Sequence, residues 1–236
     1  MENLDFDLDF DLEEEMEAFD LQLDIPLTGM ESRINKPKKF RSTGSRRVKF
    51  KNAQKAAAYI KLMEEGERYF ALLAGNFIMG DFIEAFLVQN QIQVKQMSIS
   101  SLSMSQENVD SLELLMDKGY VDKLDLILSS YFFGHERHKE GLIPYIYDQL
   151  DKGDRFQLAI AGTHTKNCLF ETSLGNKYII HGSANLRSSQ CLEEMVFERS
   201  AAVYDWKKEW HDEILKKYKT INHEIRDSQL WETVNP

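Results

Sequence analysis

His164 and Lys166 stand two apart in the chain, and Gly182-Ser183-Ala184-Asn185 follows after a short interval. A neutral imidazole beside a fixed ammonium suits phosphate chemistry. The ammonium attracts the anion, and the imidazole attacks phosphorus or moves a proton. The pair follows an apolar run, Phe156–Ala161, that reads as a strand. In extended backbone, side chains two apart leave the same face, so both are expected to point to one spot. Glycine lets a backbone approach a ligand closely. The Ser183 hydroxyl, the Asn185 amide and the free N–H groups of a helix expected over 186–194 are donors for phosphate oxygens. Each half alone is weak, since His-x-Lys arises by chance and Gly-Ser is an ordinary turn. Their joint occurrence singles them out.

The elements that must position these residues form an alternation of helices and strands. Ala53–Arg68 is rich in Ala, Lys, Leu, Met and Glu and reads as a helix. Tyr69–Gly75 reads as a buried strand. A helix then starts at Gly80-Asp81 with Phe82, Ile83, Phe86 and Leu87 on one face. Ile92–Ser98 alternates as a strand. Ser105 is expected to cap a helix carrying Val109, Leu112, Leu115 and Met116, which Gly119 ends. Leu124–Ser129 is a further strand, followed by a helix with Ile143, Tyr147 and Leu150 that Gly153 closes. After Phe156–Ala161, the short strands Cys168–Thr172 and Tyr178–His181 flank a hairpin turn at Ser173-Leu174-Gly175-Asn176. Ala201–Tyr204 reads as a last strand and Trp206–Thr220 as an amphipathic helix. The pattern predicts an α/β domain, a layered mixed sheet flanked by helices.

Charge divides the 236 residues into three parts. Residues 1–30 hold eleven acidic side chains and no Lys or Arg, while 31–55 hold ten Lys/Arg and one acid, Glu31. The domain is placed at 56–236. From Asn3 to Leu12 an acid alternates with Leu or Phe, a pattern of disordered segments that dock on a partner. The competing reading is an edge strand or short helix completing another subunit. Residues 31–55, broken by Pro37 and Gly44, read as a linker or as a phosphate-contacting arm. The net charge of −10 therefore does not exclude nucleic acid as a partner. Apolar runs such as Phe77-Ile78-Met79 are too short for a bilayer, so no membrane association is expected. The acidic start lacks a cationic n-region, and the two cysteines, Cys168 and Cys191, have no metal-binding spacing; a cytoplasmic protein is expected.

Other polar residues have plainer readings. His135-Glu136-Arg137-His138 lacks a third metal ligand and reads as a polar loop near the cleft mouth. His181 is taken as a satisfied strand-end histidine rather than a site residue, and His211, in polar, charged sequence, as needing no function. Ser98, Ser100, Ser101, Ser103 and Ser105 show no base partner and read as strand-end and cap residues. Trp206 and Trp210 read as packing residues.

Together, His164-Thr165-Lys166, four further residues, Glu171, and then Gly182-Ser183-Ala184-Asn185 resemble the phospholipase D superfamily. Its motif is His-x-Lys-x-x-x-x-Asp followed by Gly-Ser-x-Asn. Leu186-Arg187-Ser188-Ser189 looks like the usual continuation, and the resemblance spans roughly 68–220. Two departures stand out: Glu171 replaces the motif aspartate, and the gap to Gly182 is a few residues longer. The resemblance implies a half-domain of that superfamily and a metal-independent phosphodiesterase without cofactor. His164 would form a phosphohistidine, with Lys166, Ser183 and Asn185 holding the phosphate oxygens and Glu171 supporting the site. A downstream carboxylate would orient the histidine; Glu193, Glu194 and Glu198 are candidates, and Glu194 is chosen. One motif is half of a catalytic pair, so a homodimer is implied. Nuclease action is expected ahead of lipase action, and DNA ahead of RNA. The alternative is a non-catalytic nucleic-acid-binding or assembly protein on the same fold.

Overall fold

The computed structural model describes residues 44–50, 53–73, 79–137, 140–187 and 192–217, with the backbone alone for 44–50. The acidic tail and the first part of the basic arm lie outside the described residues. Eight strands, β1 (Gly44–Phe50), β2 (Glu67–Leu73), β3 (Val94–Ser101), β4 (Val121–Ser129), β5 (Phe156–Ala161), β6 (Asn167–Thr172), β7 (Lys177–Gly182) and β8 (Glu193–Arg199), form one sheet in the order β1-β2-β8-β7-β6-β3-β4-β5. β1 is parallel to β2, and β3, β4 and β5 are mutually parallel. Between these sets, β8, β7 and β6 pair antiparallel with each other and with their neighbours β2 and β3. The sheet is therefore mixed, as expected.

Helices cover both faces. Along β6 and β7, Phe170 and Tyr178 alternate with Leu169 and Ile179, which sends the two pairs to opposite faces. Phe170 and Tyr178 stack at 5.1 Å beneath α2 (Met79–Gln89), where Phe86 meets Phe197 of β8 edge-on at 4.8 Å. Helix α2 packs between α1 (Ala53–Tyr59) and α3 (Gln106–Asp117), which in turn contacts α5 (Leu142–Leu150). On the other face Leu169 and Ile179 pack on Val203 and Tyr204 of α6 (Ala201–Lys217).

Five local expectations are corrected. Gly44–Phe50, read as linker, is strand β1; its Arg/Lys alternation with Val48 and Phe50 suits an edge position. Helix α1 stops at Tyr59 rather than Arg68, and Gly66, at φ 88°, turns the chain into β2. Among the described residues of 186–194 the expected helix is not formed: Leu186 donates to Ser101 Oγ (3.2 Å) and accepts from Ser105 N (2.7 Å), and Glu193 already belongs to β8. Ala201–Tyr204 is helix, not strand, because Ser200 Oγ accepts from Val203 N and starts α6. A short helix, α4 (Ser130–Glu136), takes in His135 and Glu136 of the expected polar loop.

Candidate active site

The chain leaves β5 at the sheet edge and must pass the carboxyl ends of β4 and β3 to enter β6. Residues 162–166 make that crossing as a loop, so His164 and Lys166 lie between strands rather than on one. The loop is tied down on both sides of His164. Thr163 Oγ1 and Thr165 Oγ1 are 2.8 Å apart, and Thr165 Oγ1 is 2.6 Å from Ser100 Oγ at the end of β3. Carboxyl ends of parallel strands are the usual ligand edge of such sheets.

Lys166 Nζ lies 3.2 Å from His164 Nδ1 and donates to the His164 carbonyl at 3.0 Å. An ammonium has donors only, so Nδ1 accepts and a neutral His164 carries its proton on Nε2. Burial lowers the Lys166 pKa, and the Glu193 carboxylate opposes that shift. His164 is exposed and Lys166 half-buried.

The second motif half comes from the opposite side of the same edge. β7 ends at Gly182, which pairs with Met195 of β8. A Cβ at Gly182 would collide with the Glu194 carbonyl oxygen, so only glycine permits this approach. The Ser183 hydroxyl donates to Glu193 and accepts from Glu194 N at 2.9 Å. Asn185 is held by Leu186, whose carbonyl also accepts from Asn108 Nδ2 at 2.9 Å.

One open groove of about 660 Å³ is lined by His164, Lys166, Ser183 and Asn185, together with His181 and Lys207. Four of the six residues expected from sequence are thus grouped. Glu171 is not among the lining residues; it sits on the α6 face of β6, where its charge bears on Tyr204. Glu194 is exposed and meets Ser183 through its backbone, whereas its neighbour Glu193 is the carboxylate bonded to Ser183. Among the described residues no carboxylate hydrogen-bonds to His164.

Three groove residues were not picked out from sequence. His181, read as a strand-end residue away from the site, lines the groove with Nε2 3.5 Å from the buried Glu198, which Arg68 holds at 3.1 Å. Lys207 reaches in from α6 and donates to Asn167 Oδ1 at 2.7 Å; burial lowers its pKa, against the pull of Glu198. Asn167 opens β6 directly after Lys166 and lines the same groove. Lys207 had no sequence signal, being one lysine among several on an amphipathic helix. Among the described residues no three His, Cys, Asp or Glu side chains are grouped so as to hold a metal ion, and no helix is long and apolar enough to cross a membrane.

No protein-family model matches the chain, and no curated protein sequence matches it. Among solved structures it is similar to Nuc, a phospholipase D family member from Salmonella typhimurium, at 12% identity over 66% of this chain and 99% of that one, with a TM-score of 0.46. It is similar to NucT from Helicobacter pylori at 13% identity over 66% of this chain and 99% of that one, TM-score 0.43. It is also similar to phosphatidylserine synthase of Haemophilus influenzae, at 12% identity over 71% of this chain and 43% of that one, TM-score 0.45.

Proposed function

We propose that the chain is a metal-independent phosphodiesterase, a nuclease that cleaves through a phosphohistidine at His164 and works as a homodimer in the cytoplasm. The observation that carries this reading is the meeting of His164 and Lys166 at 3.2 Å in a groove that also presents Ser183 and Asn185. Lys166 and Lys207 supply positive charge at the place where a phosphate would enter, and the hydroxyl and amide supply neutral donors. An arriving phosphate draws the Lys166 ammonium off Nδ1. The imidazole proton can then move to Nδ1, which leaves the Nε2 lone pair for attack on phosphorus.

In the first step the Nε2–P bond forms and the P–O bond to the leaving group breaks, with that oxygen taking a proton from His164 of the partner subunit. In the second step water attacks phosphorus, gives its proton back to that partner histidine, and releases His164. The exposure of His164 in an open groove leaves room for a second copy to face it across a two-fold axis. DNA is the favoured substrate, with the basic residues of 31–55 as a further contact and a protein partner for the acidic tail.

A second reading is a nucleic-acid-binding or assembly protein without turnover. What favours it is that Nδ1 of His164 faces Lys166 and, among the described residues, no carboxylate. One experiment separates the two. The purified protein and His164→Ala are incubated in EDTA with DNA and RNA, single- and double-stranded, and with phospholipid vesicles, while the mass in solution is followed. Cleavage by a dimer, lost by at least a thousandfold in His164→Ala, is expected on the order of magnitude that removal of a nucleophile costs. Cleavage unaffected by the substitution sinks the enzyme reading at this site; binding without cleavage leaves the second reading standing.

A further inference from the structure

Beside the His164 groove lies a second one of about 680 Å³, and Asn185 lines both. Its walls come from α4 and from the segment after Asn185. β4 ends at Ser129, whose hydroxyl donates to the Leu102 carbonyl at 2.6 Å and accepts from Phe132 N at 3.0 Å. That cap starts α4 directly on the edge over which the His164 loop crosses. Tyr131 and His135, four apart, therefore share a face of α4, with ring centroids 4.5 Å apart, edge to face. Tyr131 is 56% exposed, although it is a large aromatic residue. Arg187 lines the same groove.

Two carboxylates, Glu136 and Glu193, line this groove with one guanidinium, Arg187, and one imidazole, His135; both carboxylates already accept hydrogen bonds, Glu136 from Leu142 N at 3.0 Å and Glu193 from Ser183. Such a groove does not trap a phosphate, and its charged lining does not suit an acyl chain. A phenol ring, an imidazole and a planar guanidinium, with carboxylates to accept from exocyclic amines, do suit a nucleobase. Past Glu136 the next depression is lined by Glu136, Glu140 and Asp148, so a polyanion does not continue that way.

We propose that this groove holds one unpaired base of a single-stranded nucleic acid, stacked on Tyr131, with the adjoining phosphodiester placed at His164. This rests on the phosphodiesterase reading above and deepens it, because a base inside a duplex cannot leave its stack to reach Tyr131 without unpairing.

The test uses His164→Ala as the parent, so that substrate survives, and measures affinity for a short single strand, the same strand made abasic, and the matching duplex. Tyr131→Ala is expected to weaken single-strand binding by about tenfold or more, on the scale of one lost base–aromatic stack. Tyr131→Phe should keep the affinity, and the abasic strand should bind parent and Tyr131→Ala alike. Unchanged single-strand affinity in Tyr131→Ala, an equal loss for the abasic strand, or equally tight and Tyr131-dependent duplex binding overturns the proposal. Tyr131-dependent binding of phosphatidylcholine vesicles in place of the strand also overturns it. Hydrolysis of bis(p-nitrophenyl) phosphate by the wild-type protein checks the phosphodiesterase reading separately, since that diester carries no base. Turnover there with no effect of Tyr131→Ala on strand binding removes the base site alone. Absent turnover on it and on the nucleic acids removes the enzyme reading, whatever Tyr131 does.

Discussion

A Cβ at Gly182 would meet the carbonyl oxygen of Glu194 and come within 3.1 Å of Met195 Cα, both backbone atoms of β8. Neither can rotate away as a side chain would. Gly182→Ala should therefore push β8 from β7 and cost about 1–3 kcal/mol, the range for forced overpacking. It should also lower cleavage, because Ser183 N donates to Glu194 O at 3.0 Å and that bond sets the hydroxyl. Urea denaturation and diester hydrolysis on one sample check both. His164, Lys166, Ser183 and Asn185 were legible because their relation is written in one dimension, as spacing. Glu193 was not, because choosing between Glu193 and Glu194 needs the strand alternation of β8, and a helix was expected there. His181 was weighed as a site residue and set aside, and Lys207 was invisible, for another reason: they reach the groove from β7 and α6, and only the tertiary packing brings these to His164.

Helix α6 buries two titratable neighbours on the sheet. His211, which the sequence shows only amid polar, charged residues, is fully buried with Nδ1 2.6 Å from Ser98 Oγ, so this serine has the base partner that the sequence did not reveal. Its position is one turn beyond Lys207 and Lys208, and strong charge nearby hid an inward-facing residue. Burial, helped by those two lysines, holds His211 down from 6.5 to about 3. Asp125 of β4, bonded to Gln96 and 3.6 Å from Lys208, is raised by burial from 3.8 to about 6, with Lys208 opposing and Asp212 adding. The signs are opposite. From 3.8 to about 6 the folded chain keeps an Asp125 proton that the unfolded chain has lost, so stability falls as pH rises. From 6.5 down to about 3 the unfolded chain takes up a His211 proton that the folded chain refuses, so stability falls as pH falls. The two slopes offset one another between pH 4 and 6, a window set by those shifts. Asp125→Asn should remove one slope and leave the other, so melting temperature should rise steadily with pH across that window instead of staying level. A thermal-melt series at several pH values checks this; an unchanged profile counts against the Asp125 assignment, and a variant profile that stays level counts against that of His211.

At the scale of the molecule, the alternation of periods was enough for a layered mixed sheet, because most strands and helices announce themselves locally; β1, β8 and the start of α6 did not. Strand order was not readable, since β2 pairs with β8 and β3 with β6 across long stretches of chain that leave no local mark. That order is what brings the β5–β6 loop and the end of β7 to one edge. There, the Ser183 hydroxyl donates to Glu193, so a carboxylate stands directly behind a group that lines the groove where phosphate would bind. A phosphodiester carries one negative charge, whereas a terminal phosphate carries nearly two once pH exceeds its second pKa, about 6. Repulsion from Glu193 therefore falls about twice as hard on the product of diester cleavage as on the substrate. The groove would clear itself, letting a strand end depart before the next diester enters. Glu193→Gln should make a nucleoside monophosphate inhibit severalfold more strongly at pH 7.5 and by a smaller factor at pH 5.5, where the phosphate carries a single charge, as competitive inhibition constants at the two pH values would register.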